Sequence, residues 1–382
     1  MKANVAVESI ISHGGRTMMQ RSTGRDIRQS AIQGMSGIRG FCQGTLGVVS
    51  EEMHETDAAL PAARLARGAG DIRLMLALHA MGFLSWREKL RLLAVLDSVE
   101  DLVRMDLADL MLLARRSIRR ATWNPRGRLE EAERQAVLLQ RIGARFVSVL
   151  DPEYPALLRE IHRAPFGIFV RGTLPRRRYI TVVGTRGPTW AGIKAARAVA
   201  QACVLEGCTV VSGLARGIDA AAHRGALAAA GTTVAVLPSP IDSVYPASHR
   251  ALAADMLRQG GALISEYPPG TSMERFRFPE RNRILAGLSP LTVIVEAPER
   301  SGALITADFA LTEGRDVAVA RACLYSSRNA GGMALALQGA CQVEGRDDLK
   351  AMLEGAGIWN MGSPDFLKST TDVALPNETG EE

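Results

Sequence analysis

The regular alternation of short apolar runs with helix-length segments between residues 179 and 354 constrains the fold most. The apolar runs are continuous rather than alternating with polar residues, as in parallel strands that are buried on both faces. Repeated strand–helix units connect by right-handed crossovers and place helices on both sides of one sheet. The pattern therefore predicts an α/β fold with a doubly wound, mainly parallel sheet.

The element bounds follow from the same pattern. The predicted strands are residues 180–183, 209–212, 232–236, 262–265, 291–295 and 316–320. The predicted helices are residues 191–205, 219–230, 248–258, 281–287 and 303–313. A short helix near 333–338, a strand near 341–343 and a helix at 347–354 are expected to close the sheet. Ligands of such sheets bind beyond the carboxyl ends of the strands, so the functional site is expected in the loops at that edge.

Four segments organise the chain. Residues 1–70 show no sustained period and predict a disordered or weakly ordered leader, although their early acid-poor part also resembles a transit peptide. Residues 71–145 predict a small helical domain of helix-hairpin-helix-like type, with a packing or partner-docking role preferred because no G-x-G hairpin is evident. Residues 146–354 hold the sheet and two lead-in strands, and residues 355–382 form an acidic tail.

Charge and cysteine content narrow the class of protein. The net charge is +6, and residues 175–350 carry 20 Lys and Arg against 15 Asp and Glu, which is compatible with a polyanionic partner or simply with solubility. The five cysteines form no C-x-x-C pair and predict reduced, buried thiols without a metal site. The sequence contains neither a membrane-length apolar run nor a secretory signal. We expect a cytoplasmic protein with no membrane association.

Two glycine-containing loops predict phosphate sites. The first holds Gly184, Thr185 and Arg186, and the second is the turn from Ser212 to Gly217. A loop that follows a strand and opens a helix presents backbone N–H groups to an anion, and an arginine adds a full positive charge. The first loop is not G-x-G-x-x-G, and no acidic residue ends the second strand, so NAD binding is disfavoured.

Two further loops enlarge the predicted site. Arginines alternate with phenylalanines in residues 276–283, which combines charges for phosphates with rings for stacked bases, although an ordinary basic helix start is the alternative. Ser301, Gly302 and Thr306 begin another helix. Four anion sites on one sheet edge exceed what one mononucleotide needs, so they favour a chain of phosphates.

Asp219 and His223 are the candidate catalytic pair. Asp219 is predicted to cap its helix and to orient Arg216, and His223 lies four residues further on the same helix face. An Asp–His pair can perform acid–base chemistry. A capping and packing role is preferred because the sequence fixes no nucleophile beside the pair, so we predict no catalytic residue.

The ordered motifs of residues 145–350 resemble the DNA-processing protein A (DprA, Smf) family. The segments that carry the resemblance are Asp151–Pro155, Phe169–Gly172, Gly184–Arg186, Ser212–Leu227, Phe278–Ile284, Gly287–Ser289, and Glu296 with Arg300–Thr306. The resemblance implies a Rossmann-like domain that follows a sterile-alpha-motif-like helical domain. It also implies a cytoplasmic, homodimeric bacterial protein without catalytic turnover or cofactor. Such a protein protects incoming single-stranded DNA and loads the RecA recombinase onto it in natural transformation.

The resemblance also assigns the residues of the site. The nucleic-acid-binding residues it implies are Gly184, Thr185, Arg186, Ser212, Gly213, Arg216, Gly217, Phe278, Arg281, Asn282, Arg283, Ser301, Gly302 and Thr306. The residues expected to support them structurally are Asp219, His223 and Glu296. The sequence departs from the family pattern at Pro238–Pro240, Ala320–Ala322 and Met333.

The sequence is also compatible with two alternative functions. A Rossmann-like enzyme or sensor for a small nucleotide would use an acid or base near the same loops, although the P-G-G-x-G-T-x-x-E signature of phosphoribohydrolases is missing from the sequence. A diverged scaffold that has kept the fold without loading activity would explain the departures.

Overall fold

The strands form one nine-stranded sheet. The computed structural model describes residues 68–118 and 123–355. Within them the sheet order is β1-β2-β6-β5-β4-β3-β7-β8-β9. The strands are β1 (Ala144–Ser148), β2 (Gly167–Gly172), β3 (Tyr179–Val183), β4 (Thr209–Ser212), β5 (Thr233–Leu237), β6 (Ala262–Ser265), β7 (Leu291–Ile294), β8 (Asp316–Ala320) and β9 (Cys341–Val343).

The helices precede the sheet or connect its strands. Those that precede it are α1 (Ile72–His79), α2 (Trp86–Leu93), α3 (Val99–Arg104), α4 (Leu107–Ala114) and α5 (Pro125–Ile142). Those that connect or follow the strands are α6 (Ala156–Glu160), α7 (Trp190–Leu205), α8 (Ile218–Ala228), α9 (Arg250–Arg258), α10 (Arg277–Gly287), α11 (Gly302–Thr312), α12 (Ala330–Leu337) and α13 (Arg346–Gly355).

The strand order confirms the predicted doubly wound sheet. Strands β3 to β6 progress outward on one side, and the chain then returns to place β7 against the other side of β3. Ile180 consequently aligns with Val210 of β4 and with Leu291 of β7, both in parallel. The lead-in strands β1 and β2 join antiparallel beyond β6. The topological switch point therefore lies between β3 and β7, where ligand sites of this class of sheet form.

Each face of the sheet has its own core. One cluster packs α7, α8 and α13 against side chains such as Ile180 and Val293. The other places the helices before the sheet, together with α9, α10 and α11, in one continuous cluster with side chains such as Phe169 and Val234. Burial on both faces explains why the strands are uniformly apolar in sequence.

Helix starts agree with the local sequence, with one correction to the predicted bounds. Ser85 and Ser98 cap α2 and α3 in complete capping boxes. Helix α5 begins at Pro125, after an Asn124 cap, because proline is well accommodated in the first turn of a helix. Helix α10 likewise begins at Arg277 rather than at Arg281, with Pro279 in its first turn.

The cysteine prediction is wrong at one position. Cys203, Cys208 and Cys323 are buried free thiols, but Cys341 is exposed because it begins the short edge strand β9. Within the described residues, no helix combines the length and apolar character needed to cross a bilayer. The predicted leader and acidic tail lie almost entirely outside the described ranges.

Candidate nucleic-acid interface

The loop after β3 displays Arg186 at the carboxyl edge of the sheet. The Thr185 N–H donates to the backbone oxygen of Glu296 over 2.7 Å, which ties this loop to the end of β7. A side chain at Gly184 would meet the same oxygen at 2.9 Å, so glycine permits this close approach. Arg186 is exposed, and its guanidinium carbon lies 5.4 Å from the ring centroid of Phe278. The loop is fixed while its arginine remains accessible.

Buried side chains hold the backbone of the loop after β4. The Asp219 carboxylate accepts hydrogen bonds from the N–H groups of Gly213 (3.2 Å) and Ala215 (3.3 Å). Leu214 adopts a left-handed conformation, with φ of 56°, and its backbone oxygen lies 2.8 Å from Nδ1 of His249. These contacts hold an otherwise unfavourable backbone, and Arg216 is exposed on the same turn.

Gly217 closes the same turn against its neighbour. Its φ is 82°, a conformation that favours glycine. A Cβ atom there would lie 2.4 Å from the backbone oxygen of Thr185, and the Ile218 N–H donates to that oxygen over 3.2 Å. The loops that carry Arg186 and Arg216 are therefore packed directly against each other.

The capping role predicted for Asp219 is wrong. Gly217 occupies the N-cap of α8, and Asp219 lies in the first turn with only 5% of its surface exposed. Burial raises the pKa of Asp219, and the nearby charge of Arg281 opposes that shift. Asp219 thus shapes the Gly213–Ala215 backbone instead of orienting the exposed Arg216.

His223 is a buried structural histidine. Its Nδ1 lies 2.7 Å from Oγ1 of Thr233, on the neighbouring strand β5. Burial and the nearby His249 lower the pKa of His223 to about 3, so the ring is neutral at physiological pH. Asp219 and His223 bind different partners, which argues against the acid–base pair considered from the sequence.

Three consecutive residues of α10 connect three loops. Nη1 of Arg281 donates to the backbone oxygens of Gly213 (2.9 Å) and Val236. Nδ2 of Asn282 donates to the backbone oxygen of Gly302 over 3.2 Å. Nη2 of Arg283 donates to both carboxylate oxygens of Glu266, each at 2.5 Å. The ends of β4, β5, β6 and the start of α11 are thereby joined through one helix.

These contacts revise the predicted role of the three residues. Arg281, Asn282 and Arg283 are each less than one tenth exposed, since α10 begins a turn earlier than predicted and carries them into the interior. Burial lowers the pKa of Arg281 to about 10, which leaves it charged at neutral pH. Their side chains are thus occupied by partners within the protein, and binding of nucleic acid by these three residues stays a prediction.

Several aromatic rings lie in the loops near the carboxyl edge of the sheet, and one of them contacts Arg186. Phe278 is partly exposed, and its ring centroid lies 5.4 Å from that of Tyr245 with the planes nearly perpendicular. Phe276 is also exposed, and the guanidinium of Arg277 lies 4.1 Å from the ring centroid of Tyr267. Tyr245 lies in a proline-rich loop. Its exposed ring adds a stacking surface that sequence spacing did not identify.

The remaining predicted sites divide between surface and interior. Ser301 caps α11, accepting from the Ala303 N–H over 3.3 Å, and Gly302 is exposed beside it. Thr306 and Ser212 are buried, and the Ser212 hydroxyl donates to the Val182 backbone oxygen over 2.6 Å. Direct phosphate contact by these two hydroxyl groups is therefore not supported.

Glu296 has the supporting role expected of it within the protein. It is fully buried, and Oε2 accepts from the N–H (2.8 Å) and hydroxyl (3.2 Å) of Thr189. Oε1 accepts from the Ser326 hydroxyl over 3.1 Å. A Cβ atom at Gly192 would lie 2.2 Å from Oε2, so this glycine admits the carboxylate. Glu296 thereby connects the loops after β3 and β8.

Comparison with known proteins places the chain in a family. A sequence model of DNA recombination-mediator protein A matches residues 145–354, more than half of the chain. Protein Smf of Synechocystis is 44% identical over 184 residues, which cover 47% of this chain and 46% of the cyanobacterial protein. The chain thus matches about half the length of that relative.

Two solved structures share the fold. DNA processing protein A from Streptococcus pneumoniae is 32% identical with a TM-score of 0.58, covering 73% of this chain and 96% of the pneumococcal one. DNA processing protein A from Helicobacter pylori, described for its single-stranded DNA binding mode, is 22% identical with a TM-score of 0.50. That alignment covers 56% of this chain and 96% of the Helicobacter chain.

Proposed function

The chain belongs to the DNA recombination-mediator protein A family, and we propose that it binds single-stranded DNA at the carboxyl edge of its sheet. The observation that carries this proposal is the exposed Arg186 guanidinium, 5.4 Å from the Phe278 ring. A cation beside an aromatic surface suits a phosphate next to an unstacked base. Bases within a duplex are already stacked, so this arrangement favours a single strand.

The second exposed arginine extends the anion site. Arg216 lies on a turn that packs against the loop of Arg186, since Gly217 contacts the backbone of Thr185. Two neighbouring cations fit successive phosphates of a chain better than one terminal phosphate. Base-independent binding follows from this chemistry, because phosphate contacts carry no sequence information.

Further parts of the proposal come from family membership. Proteins of this family named for DNA processing include those of Streptococcus pneumoniae and Helicobacter pylori, and the latter binds single-stranded DNA. We accordingly propose that this protein is a cytoplasmic, non-enzymatic homodimer. It would protect incoming single strands and load RecA onto them during transformation, and the helices within residues 71–145, which share a core with one face of the sheet, would dock a partner.

A small-nucleotide enzyme or sensor is less well supported. The acid–base candidates Asp219 and His223 are buried and occupied by backbone and Thr233 contacts. Among residues 68–118 and 123–355, no three His, Cys, Asp or Glu side chains are grouped as a metal ion would require.

A titration of the purified full-length chain with oligo-dT and with duplex of equal length tests the proposal. We expect salt-sensitive binding that prefers the single strand, weakened by Arg186→Ala and Arg216→Ala. Arg258→Ala is the matched control, since Arg258 is an exposed arginine at the end of α9, where the chain turns into the amino end of β6. Equal affinity of wild type and both variants at low salt would refute the site, and stoichiometric stimulation of RecA filament assembly tests loading.

A further inference from the structure

We propose that Trp190 and Tyr325 form a second base-stacking platform for the same DNA strand, at the switch point of the sheet. This inference rests on the proposed single-strand binding and extends the site across β7. Both rings face solvent: Trp190 is 65% exposed and Tyr325 is 86% exposed. Neither belongs to the motifs that predicted the first platform, which consists of Phe278, Tyr245 and Arg186.

Exposure alone does not make a site, but these two rings share one buried anchor. Trp190 follows Thr189, whose N–H and hydroxyl both donate to Oε2 of Glu296. Tyr325 precedes Ser326, whose hydroxyl donates to Oε1 of the same carboxylate. The fully buried Glu296 therefore holds the backbone of the residue before Trp190 and the side chain of the residue after Tyr325. Rings on anchored backbone lose less conformational entropy on binding than rings on mobile loops.

The sheet sets the distance between the two anchored segments. Strand β7 lies between β3 and β8, and neighbouring strands are about 4.8 Å apart, so the ends of β3 and β8 are about 10 Å apart. Thr189 and Ser326 reach inward from those two ends to the single carboxylate between them. The segments that carry the two rings thus lie on either side of the end of β7, next to the switch point at which ligands bind in sheets of this class.

Cations accompany both rings. Nζ of Lys194 lies 5.6 Å from the Trp190 ring centroid. Nη1 of Arg328, three residues after Tyr325, donates to the backbone oxygen of Gly187 over 3.4 Å. Arg328 is exposed, so its remaining donors face solvent. Stacking surfaces interleaved with positive charges are the combination that single-stranded nucleic acids require.

The contact between Arg328 and Gly187 makes the two platforms continuous. Gly187 directly follows Arg186, which lies over the Phe278 ring of the first platform. A strand leaving Phe278 would pass Arg186 and then meet Arg328 and the second pair of rings. The second platform should therefore engage only oligonucleotides long enough to extend past Arg186.

Length dependence of binding tests the inference. We expect Trp190→Ala with Tyr325→Ala to weaken binding of an oligo-dT of about twenty nucleotides by about tenfold per ring, and to leave an oligomer of about five nucleotides nearly unchanged. Leu205→Ala, an exposed apolar residue at the other end of α7, is the matched control. Trp190 fluorescence should be quenched by the long oligomer in wild type, and Trp190→Phe should lose that component.

The outcomes separate this inference from the proposal it extends. If wild type binds both oligomers but the double variant shows the same length dependence and unchanged affinity, the second platform is refuted and the first remains. If wild type binds no single strand, the proposed function itself fails. A double variant that alters sedimentation while leaving DNA affinity unchanged assigns the rings to a protein contact and overturns the inference.

Discussion

Two pairs of arginines at the carboxyl edge of the sheet differ in exposure and in hydrogen-bond partners. Arg281 and Arg283, on α10, are about 5% exposed. They donate hydrogen bonds to the backbone oxygens of Gly213 and Val236 and to the carboxylate of Glu266. Arg186 and Arg216, on the loops after β3 and β4, are exposed to solvent. The buried arginines thus stabilise the loops, whereas the other two are exposed on them.

The difference shows that the side chains of a basic motif can be used for contacts within the protein instead of being exposed to solvent. Leaving a buried guanidinium without its hydrogen-bond acceptors costs free energy. The hydrogen bonds of Arg281 and Arg283 therefore hold α10 in place. The loops above it can then display Arg186 and Arg216 without reorganising when a ligand binds. Substitutions in the two pairs should accordingly separate stability from affinity.

The largest effect is expected for the buried pair. Arg281→Ala removes the donor to two buried backbone oxygens and leaves Asp219 without its nearby positive charge, which should lower the unfolding free energy by about 3–5 kcal/mol. Denaturant unfolding measures it. Arg277→Ala, on the more exposed first turn of α10, is the control and should cost much less. Equal losses in the two variants would show that the buried hydrogen bonds of Arg281 contribute no more to stability than a partly exposed arginine of the same helix.

The next effect concerns pH and the buried His223. Its folded pKa is about 3 against an ordinary value of 6.5, so the unfolded chain binds the extra proton between these limits. Stability should therefore fall on acidification below pH 6.5, by about 1.4 kcal/mol per pH unit from this residue. His223→Asn should flatten the unfolding profile between pH 6 and 4 by about that slope.

A matched variant separates titration from packing at His223. Thr233→Val removes the hydroxyl that pairs with Nδ1 but keeps the imidazole. It should lower stability at every pH while leaving most of the acid slope in place. An unchanged slope in His223→Asn would mean that the ring is not kept neutral by burial.

The exposed pair should affect affinity alone. Arg186→Ala should weaken oligo-dT binding by about tenfold and reduce the salt-dependence slope by about 0.7, the value for one phosphate contact on a single strand. The unfolding free energy should change little, because Arg186 is exposed. Titrations at several salt concentrations measure both quantities. A loss of stability comparable to that of Arg281→Ala would place Arg186 with the structural pair.

The smallest effect is expected at the ring beneath Arg186. Phe278→Leu keeps an apolar side chain on α10 but removes the stacking face, so affinity for oligo-dT should fall by about fivefold with the salt slope unchanged. Phe278→Tyr is the control that retains a ring. A change in salt slope instead of affinity would show that the ring acts only by positioning the arginine.

Much of the fold could be predicted because the strands carry their own signal. Continuous apolar and β-branched runs such as Thr209–Val211 are typical of parallel strands that are buried on both faces, and the observed bounds agree closely. Capping residues also act locally, so Ser85 and Ser98 could be identified directly. The glycine turns likewise placed Arg186 and Arg216 at the correct edge.

The burial of charged residues could not be predicted in the same way. Whether Arg281 faces solvent or the Gly213 oxygen depends on where α10 starts and on the loops that pack over it, which are tertiary properties. The same holds for Asp219, whose spacing suggests a cap although its partners are backbone N–H groups of the preceding turn. The sequence shows which hydrogen-bonding groups are present. Tertiary packing determines which partner each group binds.

The continuous core between the first helices and one face of the sheet has a consequence for how the chain can be divided. Leu74, Leu76 and Leu78 of α1 are fully buried in the same cluster as Phe169 of β2. A fragment cut before β1 would uncover this surface to water and should aggregate, even though the family's sequence model begins at residue 145. Calorimetry of the intact protein should then record these helices and the sheet melting in a single endotherm.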